Sequence, residues 1–374
     1  MTDRMWPRAS LRRVALIGVH LLGVLASSMT ASAQELKDVQ DPSSPLTLKS
    51  RGSFIVGGES VMQTPAQLSS FTGQPLDSGG HVTVNQLYVE YMVPVADNGV
   101  PVVMLHGATL SGKSYDTTPD GRMGWYEYFV RQGHPVYVPD QVSRARSGVD
   151  IATYNEVRAG VQPVSALPNF WRFPDELVWT QFRFGLTFGT AFPDGQFPVE
   201  AVDDLSRQAI PDFNTVLPTP NPNIAAMANL AAQVNGAVLL GHSQTGSLPL
   251  DAALANPNAV KAAILVEPGG CRATRWTDEE IATLATKPIL VVFGDNLDAQ
   301  TGTIVSWRAQ YNDCQAFIAR VNAAGGAAEM LHPPDLGIRG NSHMIMQDRN
   351  SHQIADLILS WIGRATQDGS AEGR

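Results

Sequence analysis

The chain has 374 residues, a hydrophobic content of 44%, a charged content of 16% and a net charge of −9. Those proportions suit a large globular domain, or a domain carrying an insertion, with a sizeable core. The acidic balance argues against a nucleic-acid partner.

The first stretch reads as an export signal. Arg4, Arg8, Arg12 and Arg13 form a basic segment, residues 14–25 an apolar run too short to span a bilayer securely, and Ala31-Ser32-Ala33 a small-residue cleavage site. Residues 1–33 are expected to be a signal peptide cleaved after Ala33. Losing its four arginines and one aspartate takes the net charge from −9 to −12. The Arg12-Arg13 pair leaves open the general or the twin-arginine route. The chain has no other long apolar run, so no stable membrane anchor is expected after cleavage. The mature protein is placed in the periplasm or outside the cell.

Residues 34–48 are polar with prolines, as in a tether. Residues 52–57 read as a first strand. Residues 81–93 alternate apolar and polar, the mark of a half-exposed antiparallel strand. From there the signal changes to short continuous apolar runs at 101–105, 135–140, 237–240, 262–266, 288–293 and 327–332. Such runs fit strands buried on both faces. Helical stretches separate them at 125–132, 224–234, 247–254, 278–286 and 306–324, and a final helix covers 351–362. Strands alternating with helices predict a mainly parallel α/β sheet with antiparallel strands at its N-terminal edge.

Between Ser147 and Pro222 the rhythm breaks. This segment is rich in Phe and Trp, among them Phe170, Trp171, Phe173, Trp179, Phe182, Phe184, Phe188, Phe192 and Phe197, with many prolines. A structureless loop of that length is improbable. An inserted cap over about 148–222 is expected to cover the active site. Most of its aromatics are expected to pack a small core of the insert's own, and a few to line the substrate pocket.

The chemistry centres on Gly241-His242-Ser243-Gln244-Thr245, which follows the run at 237–240 and precedes a helical stretch. This is a nucleophile elbow of the G-x-S-x-G type with Thr245 in the last glycine's place. A serine on a sharp strand-to-helix turn sits in strained backbone, and its flanking residues must be small. Its hydroxyl then faces the N–H groups that begin the next helix.

A serine nucleophile needs a base. His343 lies in a loop after the last strand and before the final helix, where the histidine belongs in this chain order. His332 and His352 are the alternatives; His242 should point away from Ser243. The imidazole needs an acid. Glu267, Asp295 and Asp298 all sit at strand ends, and motif physics leans slightly to the aspartates. Two N–H donors form an oxyanion hole, assigned to Gln244 and, in the His106-Gly107 loop, to Ala108. Cys271 and Cys314 suggest one disulfide in an exported protein, with two buried free thiols as the alternative.

The long stretches at 106–125, 127–129 and 140–147, with Gly57-Gly58 and the elbow, resemble a small group of atypical bacterial exported carboxylesterases with the α/β-hydrolase fold. In that group the acid is a glutamate after the strand that follows the elbow. The resemblance therefore implies Glu267, 24 residues past Ser243. The group can carry adjacent cysteines beside the oxyanion loop, where this chain has Ala108-Thr109. That departure leaves the rigidity of the loop and the shape of the pocket open, and the cap aligns with nothing in the group.

The expected activity is ester hydrolysis through an acyl-enzyme, on small molecules with an apolar or aryl group, without metal or cofactor. Use of the same residues on a lactone, an amide or a carbon–carbon bond is the alternative, since one fold supports all of these. The oligomeric state, a homodimer included, is left open.

Overall fold

The computed structural model describes residues 34–40, 44–97, 99–213, 217–299 and 305–367. The expected signal peptide lies outside the described residues. Eight strands form one sheet: β1 Leu48–Gln63, β2 Gly80–Pro94, β3 Val102–Leu105, β4 Val136–Asp140, β5 Ala237–His242, β6 Val260–Val266, β7 Pro288–Val292 and β8 Ala327–Leu331. Their order is β1-β2-β4-β3-β5-β6-β7-β8. The strands from β4 to β8 run parallel, while β2 is antiparallel to both β1 and β4. This is the mainly parallel sheet with an antiparallel N-terminal edge that the hydrophobic patterning predicts.

The first strand is much longer than its expected span of 52–57. Gly57 and Gly58 look like a strand end, yet the ladder continues from Gly57↔Gln86 to Glu59↔Val84. Both glycines and the facing Asn85 have positive φ. Glycine adopts this backbone without a Cβ penalty, so the ribbon coils here instead of stopping.

The central strands β3, β5, β6 and β7 are buried on both faces, as their apolar runs require, whereas β8 at the sheet edge leaves Ala327 and Glu329 exposed, contrary to the expectation for 327–332. Val103, Leu105 and Leu239 point into one core layer with α5 (Pro222–Gln233), α6 (Leu248–Ala255), α7 (Asp278–Leu284) and α8 (Trp307–Ala323). Val102, Met104, Val238 and Leu240 point into the other, against α1 (Trp125–Arg131) and α9 (Ser351–Gln367). Each fully buried Val or Leu contributes roughly 1.5–3 kcal/mol.

Between β4 and α5 the chain forms three seven-residue helices, α2 (Ala152–Arg158), α3 (Asp175–Gln181) and α4 (Val202–Gln208), joined by irregular segments. The expectation of a separate small core in this insert is not met. Its buried aromatics, Trp179, Phe182, Phe184 and Phe197, join the layer formed by α1 and α9. Phe184 and Phe197 stack with ring centroids 3.9 Å apart. Helices this short bury too little surface to close a core alone. The described residues accordingly form one compact unit.

Candidate active site

The C-terminal ends of β3, β5, β6 and β7 converge, and each delivers a residue to one place. At the end of β5, Ser243 has φ +57°, the left-handed region that costs a non-glycine residue about 1 kcal/mol or more. Its carbonyl accepts the N–H groups of Gly246 and Gly269, both at 2.9 Å, which anchors the turn. A Cβ on Gly241 would lie 2.2 Å from the Thr245 carbonyl oxygen. One on Gly246 would lie 2.5 Å from Pro268 Cα. The close approach expected of the last motif position thus falls one residue later. Thr245 instead acts through its side chain. Its buried hydroxyl lies 3.1, 3.0 and 3.1 Å from the carbonyl oxygens of Leu105, His106 and His242. These contacts tie the elbow to the end of β3.

Three of the expected residues come together. Ser243 Oγ is 2.9 Å from His343 Nε2, and His343 Nδ1 is 3.0 Å from Glu267 Oε2. A carboxylate only accepts, so Nδ1 carries the imidazole proton and Nε2 presents its lone pair to the hydroxyl. Asp295 reaches the same loop but accepts the N–H of Gly340 at 3.1 Å, not the imidazole. Asp298 is 71% exposed and pairs with Arg308. His332 faces Asp335, and His352 meets the Met123 carbonyl while stacking on Tyr128. His242 Nε2 lies 2.9 Å from the His343 carbonyl oxygen.

The surroundings set the charges. Burial by itself would raise the Glu267 carboxyl, but the Arg183 guanidinium and the His343 hydrogen bond outweigh it and hold it at about 2. Arg183 Nη2 donates to Glu267 Oε1 at 2.6 Å, and Gly294 N–H donates to the same oxygen. His343 is pulled below the ordinary imidazole range, chiefly by burial, with Arg183 adding to the effect and Glu267 opposing it. The pair therefore rests at neutral pH as carboxylate and neutral imidazole, the state a general base requires.

Arg183, Trp307 and Asp348 support the site and are absent from the sequence-based expectation. Arg183 belongs to the insert and is fully buried between Glu267, the Asp295 carbonyl oxygen at 2.7 Å and the Trp307 ring. Its neighbour Phe182 accepts the His343 N–H at 3.0 Å through its carbonyl oxygen. Trp307 packs against the imidazole at a tilt of 32°, with ring centroids 4.2 Å apart. Asp348 accepts from Asn341 Nδ2, Ser342 N–H and Ser342 Oγ and so shapes the loop before His343. A charge embedded in Phe182-Arg183-Phe184 was a visible signal. Nothing around Asp348 marks it.

The loop expected to form the oxyanion hole lies directly on Ser243: a Cβ on Gly107 would be 2.7 Å from Ser243 Cβ. His106 Nε2 accepts the Gln141 N–H at 3.0 Å, and burial lowers its pKa to about 4, so it stays neutral and locks the ends of β3 and β4 together. Ala108 N–H has no acceptor among the described residues. Gln244 N–H lies in the first turn after the elbow, where helices leave donors unpaired. Thr109, at φ +57°, donates its N–H to Asp212 Oδ2 at 3.2 Å. Cys271 and Cys314 are disulfide-bonded and join the loop after β6 to α8.

This strand order, with a serine elbow after β5 and the histidine loop before the last helix, defines an α/β-hydrolase. Over 87% of its length the chain matches 99% of the chain of a solved structure described as a novel bacterial esterase, at 44% identity and a TM-score of 0.81. It is also 27% identical over 337 residues, 76% of this chain and 87% of the relative, to "Probable secreted lipase phiG" of Fungal sp. (strain ATCC 74256). No protein-family model matches the chain. The chain belongs to the family of that bacterial esterase within the α/β-hydrolases and is a carboxylic ester hydrolase.

Proposed function

We propose that the protein is an exported serine esterase with Ser243 as nucleophile, His343 as base and Glu267 as acid. The reading rests on the relay from Ser243 Oγ through His343 to Glu267, with contacts of 2.9 and 3.0 Å. Ser243 Oγ attacks the ester carbonyl carbon as its proton passes to His343 Nε2. The carbonyl electron pair moves onto oxygen, which the N–H groups of Ala108 and Gln244 stabilise by about 3 kcal/mol per donor. The tetrahedral adduct collapses, the C–O bond breaks and the alcohol leaves with the proton from Nε2. Water then attacks the acyl-enzyme, gives its proton to His343, and the acid departs as Oγ is reprotonated. Glu267 remains ionised throughout and holds the proton on Nδ1.

A narrow slot of about 20 Å³ lies against the loop after β3, lined by Thr109, Leu110, Phe173, Val178, Phe182 and Leu205 with Asp175 and Ser206. A groove of about 400 Å³ runs from Gln244 along α6 toward Arg275. The slot is about the size of one water, so we assign the bulkier side of the ester to the groove beside Gln244. The insert at about 148–222 then serves as a cap over the site. Residues 1–33 serve as the signal peptide, giving a periplasmic or secreted enzyme. The fungal relative is itself described as secreted.

The test is hydrolysis of p-nitrophenyl esters of graded acyl length by the mature protein, with Ser243→Ala alongside. Turnover should peak at one acyl length and fall by about 10⁴-fold or more in the variant. Residual activity above ~1% would mean that another residue is the nucleophile. Labelling of Ser243 by a fluorophosphonate without ester turnover would turn the reading toward lactones or amides.

A further inference from the structure

The loop that carries Ala108 is held at the next residue. Thr109 is fixed from both sides. Its N–H donates to Asp212 Oδ2 at 3.2 Å, and its carbonyl oxygen accepts the Ile210 N–H at 2.8 Å. The same carboxylate oxygen of Asp212 accepts Gln244 Nε2 at 3.1 Å. One atom therefore touches the residue after Ala108 on one arm of the hole and the side chain of Gln244 on the other. Fixing the Ala108–Thr109 peptide plane restricts the backbone through which the Ala108 N–H is aimed. Holding the Gln244 side chain restricts its own backbone in the same way.

A lone carboxylate this near an oxyanion would repel the charge that the hole has to stabilise. Arg144 removes that penalty. Its guanidinium pairs with Asp212 Oδ1, and both side chains are 0% exposed. The Asp212 backbone is in turn bridged to Trp171 in both directions, at 2.8 and 3.3 Å, so the carboxylate is held from within the insert. The pair spans two parts of the chain: Arg144 follows β4, and Asp212 lies on the return segment after α4.

From this geometry we infer that Asp212, neutralised by Arg144, is a positioning residue that sets the spacing between the Ala108 and Gln244 donors of the oxyanion hole. The inference rests on the proposed Ser243 site. It adds a role for the insert: covering the site and holding the hole are done by one segment.

Asp212→Asn alone leaves a buried guanidinium without its counter-charge and can fail to fold, so the informative variant is Asp212→Leu with Arg144→Met. Replacing both members of a buried pair by apolar side chains of similar volume commonly preserves a fold. Active sites are counted by fluorophosphonate labelling mapped to Ser243, and kcat is expressed per labelled site. The expected result is a fall in kcat of about 10-fold or more with KM changed by less than about threefold. Affinity for a trifluoromethyl ketone, which forms a tetrahedral oxyanion on the serine, should fall in parallel, while affinity for the carboxylic acid product stays the same. Unchanged kcat per labelled site, with only the labelled fraction or the melting temperature lowered, would reduce the pair to a structural role and overturn the inference. A wild-type protein not labelled at Ser243 would remove the site reading first, and this assignment with it.

Discussion

Two buried arginine–carboxylate pairs flank Ser243, and they look alike in isolation. Arg183 pairs with Glu267, Arg144 pairs with Asp212, and all four side chains are 0% exposed. Each pair joins the insert to the sheet-bearing part of the chain, but in opposite sense. In the first the insert supplies the arginine and the end of β6 the carboxylate. In the second the insert supplies the carboxylate. What separates them is the group each faces. On the proposed mechanism, Glu267 touches an imidazole that must gain and lose a proton, so its pair would control a titration. Asp212 touches an amide N–H and a side-chain amide, neither of which titrates, so its pair would act on the site through position. On that reading, the same ion chemistry serves acid–base tuning at one end of the site and geometry at the other.

The largest effect that would sharpen this contrast is expected at Glu267. Glu267→Gln keeps the shape but permits the wrong imidazole tautomer, and kcat should fall by about 10⁴-fold. Asp298→Asn, at an exposed pair, should change kcat by less than about twofold. Steady-state kinetics of the two variants decides the matter; the reverse order would transfer the acid role away from Glu267.

A smaller effect, with a definite sign, is expected at Arg183. Its positive charge disfavours imidazolium at His343, so Arg183→Met should raise the His343 pKa. The acid limb of the kcat/KM profile should therefore lie below the ordinary imidazole value of about 6.5 in the wild type and move to higher pH in the variant. Loss of activity would then be greater at pH 5.5 than at pH 8. The Asp212→Leu, Arg144→Met protein should lose activity evenly across that range. If both proteins shift the limb alike, the division between a tuning pair and a positioning pair fails.

The smallest effect on catalysis is expected at the disulfide. The Cys271–Cys314 bridge closes a long loop, and its removal as Cys271→Ser with Cys314→Ser should cost roughly 2–4 kcal/mol of stability. Urea unfolding measures that loss, while kcat at 25 °C and the acid limb should stay within error. This variant shows what destabilisation alone does to the profile. A shifted limb here would mean that the Arg183 result reports loosening and not charge.

Much of the sheet was legible because a strand buried on both faces has to be continuously apolar, and few other structures demand that. The elbow was legible for a related reason: a strained serine needs small neighbours at fixed offsets. The extension of β1 past Gly57-Gly58 was not, because glycine pairs mark strand ends and coiled ribbons alike, and only the facing Asn85 settles which. Among the acids, position in the chain leaned toward Asp295 and Asp298, while a resemblance pointed to Glu267. The geometry puts Glu267 beside the imidazole and gives Asp295 the loop that carries it.

The sequence by itself determined the order of strands and helices, the serine turn, the histidine loop and the place of the insert. Each depends on local periodicity or on residues close together in the chain. The partners of Arg183, Arg144 and Asp348, and the joining of the insert's aromatics to the main core, were decided only by the tertiary structure. Asp212 is 68 residues from Arg144 and Arg183 is 84 from Glu267. No periodicity links residues so far apart. A charge buried with its partner has the same letter in the sequence as a charge in water, and only the packed fold distinguishes them.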